Sequence, residues 1–236
     1  MTVQNIPASD GQSFAAYTAL PAKTPAPVII LIQEIFGVNA EMRAKCDSLA
    51  QRGFIAVCPD LFWRMEPGIQ LTDKTEEEWV RAFGFYQRFD VEKGIEDLRA
   101  TLHTFRGHAL GNGKIGVMGY CLGGKLAYLM AARSRADCSI GYYGVGIEDL
   151  LDESRHIKNP LMLHIAEEDK YVSKGAQKKI LQALTGNPLI TIHTYPDMDH
   201  AFARGGGQHY NETAAQTANQ RTLDFLDRHL RRSVAA

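Results

Sequence analysis

The chain has 236 residues, 45% of them hydrophobic and 22% charged, with 26 Lys and Arg against 27 Asp and Glu for a formal net charge of −1. A body of this size hides roughly 70% of the surface its extended chain exposes, so its core needs no metal or disulfide, and the composition excludes disordered and fibrous classes. Balanced charge gives no long-range pull toward nucleic acid or an anionic membrane, and the longest apolar run, around Pro27–Ile32, is far too short to span a bilayer.

Residues 1–10 have neither a basic start nor an apolar signal core, so a cytoplasmic protein is expected. Residues 2–18 read as an edge hairpin. Pro27–Ile32, a continuous Val/Ile-rich run, is the pattern of a strand covered on both faces. Asn39–Arg52 reads as a helix with a Met42, Cys46, Leu49 stripe and Gly53 as its stop. A short strand at Phe54–Cys58 follows, then an irregular stretch from Leu61 to Asp73. Thr75 with Glu78 forms a capping-box pattern opening a helix to about Phe89. Asp90 caps the next helix, whose stripe Ile95, Leu98, Leu102, Phe105 ends at Gly107.

Lys114–Met118 reads as a strand, followed by a Gly-rich turn at 119–124 and an apolar helix to about Ser134. Cys138–Tyr142, Leu161–Ile165 and Leu189–Tyr195 are further strands, with helices expected around 147–153, 174–184 and 212–230. Strands alternating with helices, with no repeat or linker, predict one α/β domain over residues 1–236, built on a mostly parallel sheet with helices on both faces. Ligands of such sheets bind at the carboxyl ends of the strands.

Gly119-Tyr120-Cys121-Leu122-Gly123-Gly124 lies between a strand and a helix. This is the spacing of a nucleophile elbow, with Cys in place of the commoner Ser. The tight turn requires small residues two before and two after the nucleophile, and it places the thiol at a helix amino end, where the dipole favours thiolate. The N–H of Leu122 then points to where an oxyanion forms. The other reading is a Gly-rich turn with a buried cysteine; Cys46, Cys58 and Cys138, none in a C-x-x-C pair, read as packing residues.

A thiol needs a base and the base an orienter, in the chain order nucleophile, acid, histidine. The strand at 161–165 runs into Glu167-Glu168-Asp169, and the last strand into Asp197-Met198-Asp199-His200. Asp169 and His200 are the candidate acid and base, with Glu167, Glu168, Asp197 and Asp199 taken as solvated loop charges. His164 and His193 lie within strands as core or sheet-face residues, and His103, His108, His156, His209 and His229 lie on surface or helix positions; no pair has metal-site spacing. The loop Gln33-Glu34-Ile35-Phe36-Gly37 follows the first long strand, offering the Ile35 N–H as a second oxyanion donor and Glu34 as a carboxylate near the thiol, or else a helix-capping or solvated charge. Arg204 is a candidate two-pronged anchor for a substrate carboxylate, or a surface arginine. Phe36, Trp63, Phe83, Tyr86, Tyr142 and Tyr143 suit either a pocket wall or the core.

Gln33-Glu34-Ile35-Phe36-Gly37-Val38-Asn39, Cys58-Pro59-Asp60-Leu61, the elbow at 119–124, Gly141-Tyr142-Tyr143-Gly144 and His200-Ala201-Phe202-Ala203-Arg204 occur in an order that resembles the dienelactone hydrolase (carboxymethylenebutenolidase) family. The resemblance covers nearly the whole chain. It implies an α/β-hydrolase fold and a monomeric, cofactor-free enzyme of bacterial chlorocatechol breakdown that opens 4-carboxymethylenebut-2-en-4-olide to maleylacetate. It also implies that Cys121, Asp169 and His200 form the triad, Glu34 gates it, Ile35 and Leu122 supply the oxyanion hole, and Arg204 binds the substrate carboxylate. The family's second arginine aligns with Trp79, with Arg81 two residues later as a substitute; a tyrosine one turn on is Phe83, and Ala201 stands where serine is frequent. Rival readings are an esterase or thioesterase of the same fold acting on a different small ester or lactone, and a non-catalytic ligand-binding homologue. A cysteine glutaminase would need an acid two residues after the histidine, where this chain has Phe202.

Overall fold

The computed structural model describes residues 2–231, in two compact units, 2–117 and 118–231. In the first unit, β1 (Thr2–Pro7) and β2 (Ser13–Ala19) form the expected antiparallel hairpin. They are followed by β3 (Ala26–Ile32), α1 (Ala40–Gln51), β4 (Ile55–Pro59), α2 (Glu76–Arg88) and α3 (Val91–Arg106). The long β5 (Gly111–Tyr120) leads into the second unit, with α4 (Leu122–Arg133), β6 (Cys138–Tyr142), β7 (Leu161–Ala166), α5 (Lys174–Leu184), β8 (Ile190–Tyr195) and α6 (Glu212–Leu230). Strand order is β1-β2-β4-β3-β5 in the first unit and β5-β6-β7-β8 in the second, and the eight strands are mostly parallel. Every residue of β3, β4, β6 and β7 is buried, which requires cover on both faces. Among the described residues no helix is long and apolar enough to cross a membrane.

The caps act as expected, with one departure. Asn39 caps α1 by accepting from Met42 N–H, and Asp90 caps α3 through Lys93 N–H. Thr75 accepts from Glu78 N–H at 3.2 Å, but the Glu78 carboxylate turns to the Thr72 N–H at 3.0 Å. Half of the capping box therefore forms, and its other half tethers the irregular 61–73 segment. The helix expected at 147–153 is instead two 3₁₀ turns, Ile147–Asp149 and Leu151–His156, because Leu150 leaves helical geometry between them.

That irregular segment is pinned at a second point. Asp97 of α3, 1% exposed, accepts from Trp63 Nε1 at 2.8 Å and from both Nη2 (2.8 Å) and Nε (3.2 Å) of Arg64. Arg64 also pairs with Asp10 and lies over the Trp63 ring at 4.2 Å. Asp97→Ala leaves the guanidinium and the indole N–H without their acceptor. We expect it to cost about 2–3 kcal/mol, discounted because Arg64 is partly solvated. Urea unfolding checks this, and a loss below about 0.5 kcal/mol, the scale of a neutral surface change, would reject the pin.

Candidate active site

In the second unit β5 ends at Tyr120 and α4 begins at Leu122, so Cys121 carries the whole reversal. Its φ of 54° and ψ of −116° are a conformation that a residue with a Cβ adopts only where its surroundings enforce it. The Cys121 N–H donates to Tyr142 O at 3.0 Å, and its carbonyl accepts from Gly124 and Lys125 N–H at 2.9 and 3.2 Å. The flanking glycines meet each other: a Cβ on Gly119 would lie 2.1 Å from Gly123 O. A Cβ on Gly124 would lie 2.4 Å from Tyr142 O. Leu122 opens α4, so its N–H is among those with no partner inside the helix.

β7 and β8 pair in parallel, with Ile165 opposite Thr194 and Ala166 opposite Tyr195, so the loops after them leave side by side. Their backbones are laced by Glu167 N–H to Tyr195 O (3.0 Å) and Glu168 N–H to Met198 O (2.9 Å). At the tips, Asp169 Oδ2 meets His200 Nδ1 at 2.8 Å, with both residues buried. The Tyr171 N–H holds the other Asp169 oxygen at 2.8 Å. Asp169 is therefore the acid of these loops that holds the histidine ring. The His200 ring lies edge-on to Tyr143 (5.0 Å) and to Tyr171 (4.9 Å). Tyr143 is buried beneath it, whereas Tyr171 is 37% exposed and was not singled out by the sequence beyond flanking Asp169.

The environment of His200 favours a charged ring. Burial opposes the imidazolium, but the Cys121 charge, followed by the hydrogen bond to Asp169, holds its pKa up to about 10. Asp169 occupies Nδ1, and Cys121 acts on the ring first through its charge and, more weakly, through a hydrogen bond. Arg204 is 7% exposed, which removes the surface-arginine reading, and its N–H closes a turn onto Ala201 O at 2.9 Å.

The remaining histidines and cysteines read as structural. His164 is buried between Tyr195 Oη (2.7 Å) and Thr222 Oγ1 (3.0 Å), and burial holds it neutral, well below the usual imidazole range. Cys46, Cys58 and Cys138 are in no disulfide and have no exposure. A hydrogen bond with Cys46, together with burial, pushes the Cys58 thiol well above its ordinary value. Among the described residues no three His, Cys, Asp or Glu side chains gather as a metal site.

In the first unit, Gln33, Glu34, Ile35 and Phe36 are all buried just beyond β3, so Glu34 is not a solvated charge. Phe36 O accepts from Leu71 N–H at 2.9 Å, and Gln33 Oε1 from Leu61 N–H at 3.1 Å. Gly37 has φ of 76°, and a Cβ there would lie 2.0 Å from Ile69 O, which explains the glycine. Trp79 meets Phe36 edge-on at 5.1 Å and stacks on Phe83 at 5.5 Å. Arg81 is half exposed and ion-paired with Glu66, so Trp79 and Arg81 have parted to different surroundings.

The chain matches the Dienelactone hydrolase family over residues 14–230. It is 49% identical to a protein of Azospirillum brasilense over 98% of this chain and 100% of that one. It is 43% identical to the carboxymethylenebutenolidase of Pseudomonas putida over 94% of each. A solved structure from Klebsiella pneumoniae, 25% identical, superposes with a TM-score of 0.83 over 94% of this chain and 96% of its own. The fold is thus the α/β-hydrolase fold, and the protein is a hydrolase acting on a lactone or ester. By the match along nearly its whole length, the chain belongs to the dienelactone hydrolase family.

Proposed function

We propose that the protein hydrolyses a dienelactone, 4-carboxymethylenebut-2-en-4-olide, to maleylacetate with Cys121, His200 and Asp169 as its triad. On this reading it works as a cytoplasmic monomer in the breakdown of (chloro)aromatic compounds, the setting that the family resemblance implies. The observation that carries the triad is the buried Asp169–His200 pair at 2.8 Å, with the Cys121 charge acting on the same imidazole. The Cys121 thiolate attacks the lactone carbonyl, and the developing oxyanion takes the Leu122 N–H. The ring C–O bond breaks to give an enolate, which leaves readily because its charge is delocalised and then takes the His200 imidazolium proton to become the ketone. Water, deprotonated by the now neutral His200, attacks the thioester, and the sulfur leaves as thiolate. Asp169 holds Nδ1, so the ring presents Nε2 throughout. The family resemblance alone extends this reading to the Ile35 N–H as second oxyanion donor and to Glu34 as the carboxylate that takes the thiol proton when substrate binds. Phe36, an aromatic residue of the same loop, is read as a wall of the pocket on its residue type alone.

Arg204 is the proposed carboxylate anchor. A charged hydrogen-bonded pair of this kind is worth about 1.5–3 kcal/mol, so Arg204→Gln should raise KM for cis- or trans-dienelactone roughly 10- to 100-fold and leave neutral nitrophenyl esters unaffected. An unchanged KM for both dienelactones would remove Arg204 from the site. The apolar Trp79–Phe36–Phe83 cluster, standing where relatives of this type are expected to carry a second arginine, favours a second reading as an esterase of a less charged ester. The same panel separates the two: that reading requires the neutral esters to be the better substrates.

A further inference from the structure

The loop that carries His200 is strained on both sides of it. Asp197 at φ 60° and Ala201 at φ 65° both sit in left-handed backbone, which a non-glycine residue adopts at a cost. Such a loop keeps its shape only where contacts enforce it. Asp199 lies between these two residues, and one of its oxygens, Oδ1, accepts two backbone N–H groups: that of His200 at 2.6 Å and that of Lys170 at 3.1 Å. Lys170 follows the acid Asp169 directly, so a single carboxylate oxygen ties the backbone of the base to the backbone beside the acid. The second oxygen, Oδ2, faces His209 Nδ1 at 3.5 Å, and His209 Nε2 lies 3.2 Å from Lys170 Nζ. His209 thus stands between Asp199 and Lys170 Nζ on the outer side of the loop. The Asp199 side chain is 26% exposed, so it is a partly solvated charge that also carries backbone contacts to both loops.

We propose that Asp199 is a positioning residue that clamps the Asp169 and His200 loops in register, and so sets where the imidazole stands relative to the sulfur. This rests on the reading of Cys121, Asp169 and His200 as the catalytic triad. The geometry separates Asp199 from an ordinary loop acid in one respect: it touches neither the imidazole nor Cys121, yet one of its oxygens holds a backbone N–H from each loop. Its carboxylate is held below the usual range because, although burial opposes its charge, the two N–H donors and the neighbouring His209 and Lys170 favour it. It is thus an anionic acceptor under the conditions in which the triad works.

The test compares Asp199→Ala, Asp199→Ser and Asp199→Asn with wild type and with Cys121→Ala and His200→Ala on a dienelactone. A misplacement on the order of 1 Å costs up to about 100-fold. Asp199→Ala should therefore lower kcat roughly 10- to 100-fold with KM changed less than about threefold, since it displaces the base without touching a substrate contact. Asp199→Asn keeps an acceptor oxygen for both N–H groups and should recover most of that loss. The His200 ring titration, followed by NMR, should move down in Asp199→Ala and return in Asp199→Asn. If Asp199→Ala does not fold, as judged by circular dichroism, Asp199→Ser carries the same comparison. Wild-type kcat and an unmoved His200 titration in Asp199→Ala or Asp199→Ser, with Cys121→Ala and His200→Ala inactive, would overturn the clamp and leave the triad standing. Activity surviving in Cys121→Ala or His200→Ala would instead overturn the triad reading itself, and the clamp with it.

Discussion

Cys121→Ala should lower kcat/KM for lactone hydrolysis by about 10⁴-fold or more while leaving the fold intact, because removing a nucleophile leaves only binding and the oxyanion donors to act. The same variant has a second, independent signature in His200. That imidazole, ordinarily near 6.5, is held up to about 10: burial works against the charged ring, and the Cys121 charge is the largest influence on the other side. A value raised on folding means that the group's contribution to stability is fully present below about pH 6.5 and is lost as pH rises through about 10. With Cys121 gone and burial unchanged, the His200 titration must move down. The loss of stability across that window must shrink with it. Ring NMR and urea unfolding at the two ends of the window measure both effects. Full lactonase activity would end the nucleophile assignment, and an unmoved His200 titration would show that the sulfur and the ring are not coupled.

The parts of the fold that the sequence makes legible are those set by local chemistry. β3 is recognisable because a strand buried on both faces must be apolar throughout, and the elbow because only glycine tolerates the approach of Gly119 to Gly123. The rest depends on contacts distant along the chain. On α3 the sequence stripe names Leu102, which is half buried, and passes over Asp97 and Thr101, which are buried. A charged residue reads as exposed until Arg64 and Trp63 supply its partners from another segment. Asp199 is the same case in the site: four of the five acids in its two loops look alike in sequence, and only the pairing of β7 with β8 brings the Lys170 N–H to it. Asp169 differs from the other four by standing just before the apolar Tyr171-Val172, a local cue. Trp79 and Arg81 diverge because α2 turns their side chains about 200° apart, one onto Phe36 and one to Glu66.

Gly119→Ala should be severely damaging for a single added methyl group. The added Cβ would stand 2.1 Å from Gly123 O and 2.4 Å from its carbonyl carbon, and both are backbone atoms of the first turn of α4. No side chain can rotate away to admit it. Relief requires β5 and α4 to separate at the residue that joins them, and that movement would carry Cys121 out of its enforced φ of 54°. Overpacking of this kind costs about 3 kcal/mol or more when nothing can yield. The activity that survives should fall further than the folded fraction, because the thiol is displaced even in molecules that fold. Gly84→Ala is the matched control: Gly84 lies inside α2, and a Cβ there meets nothing within 4 Å. It should stabilise by about 0.5–1 kcal/mol through helix propensity and the lost freedom of the unfolded chain. Urea unfolding of the two variants, with lactonase activity measured per folded molecule, gives opposite signs if the elbow is held by backbone contact. Gly119→Ala matching Gly84→Ala in stability and wild type in activity would mean that the elbow has room that its geometry denies.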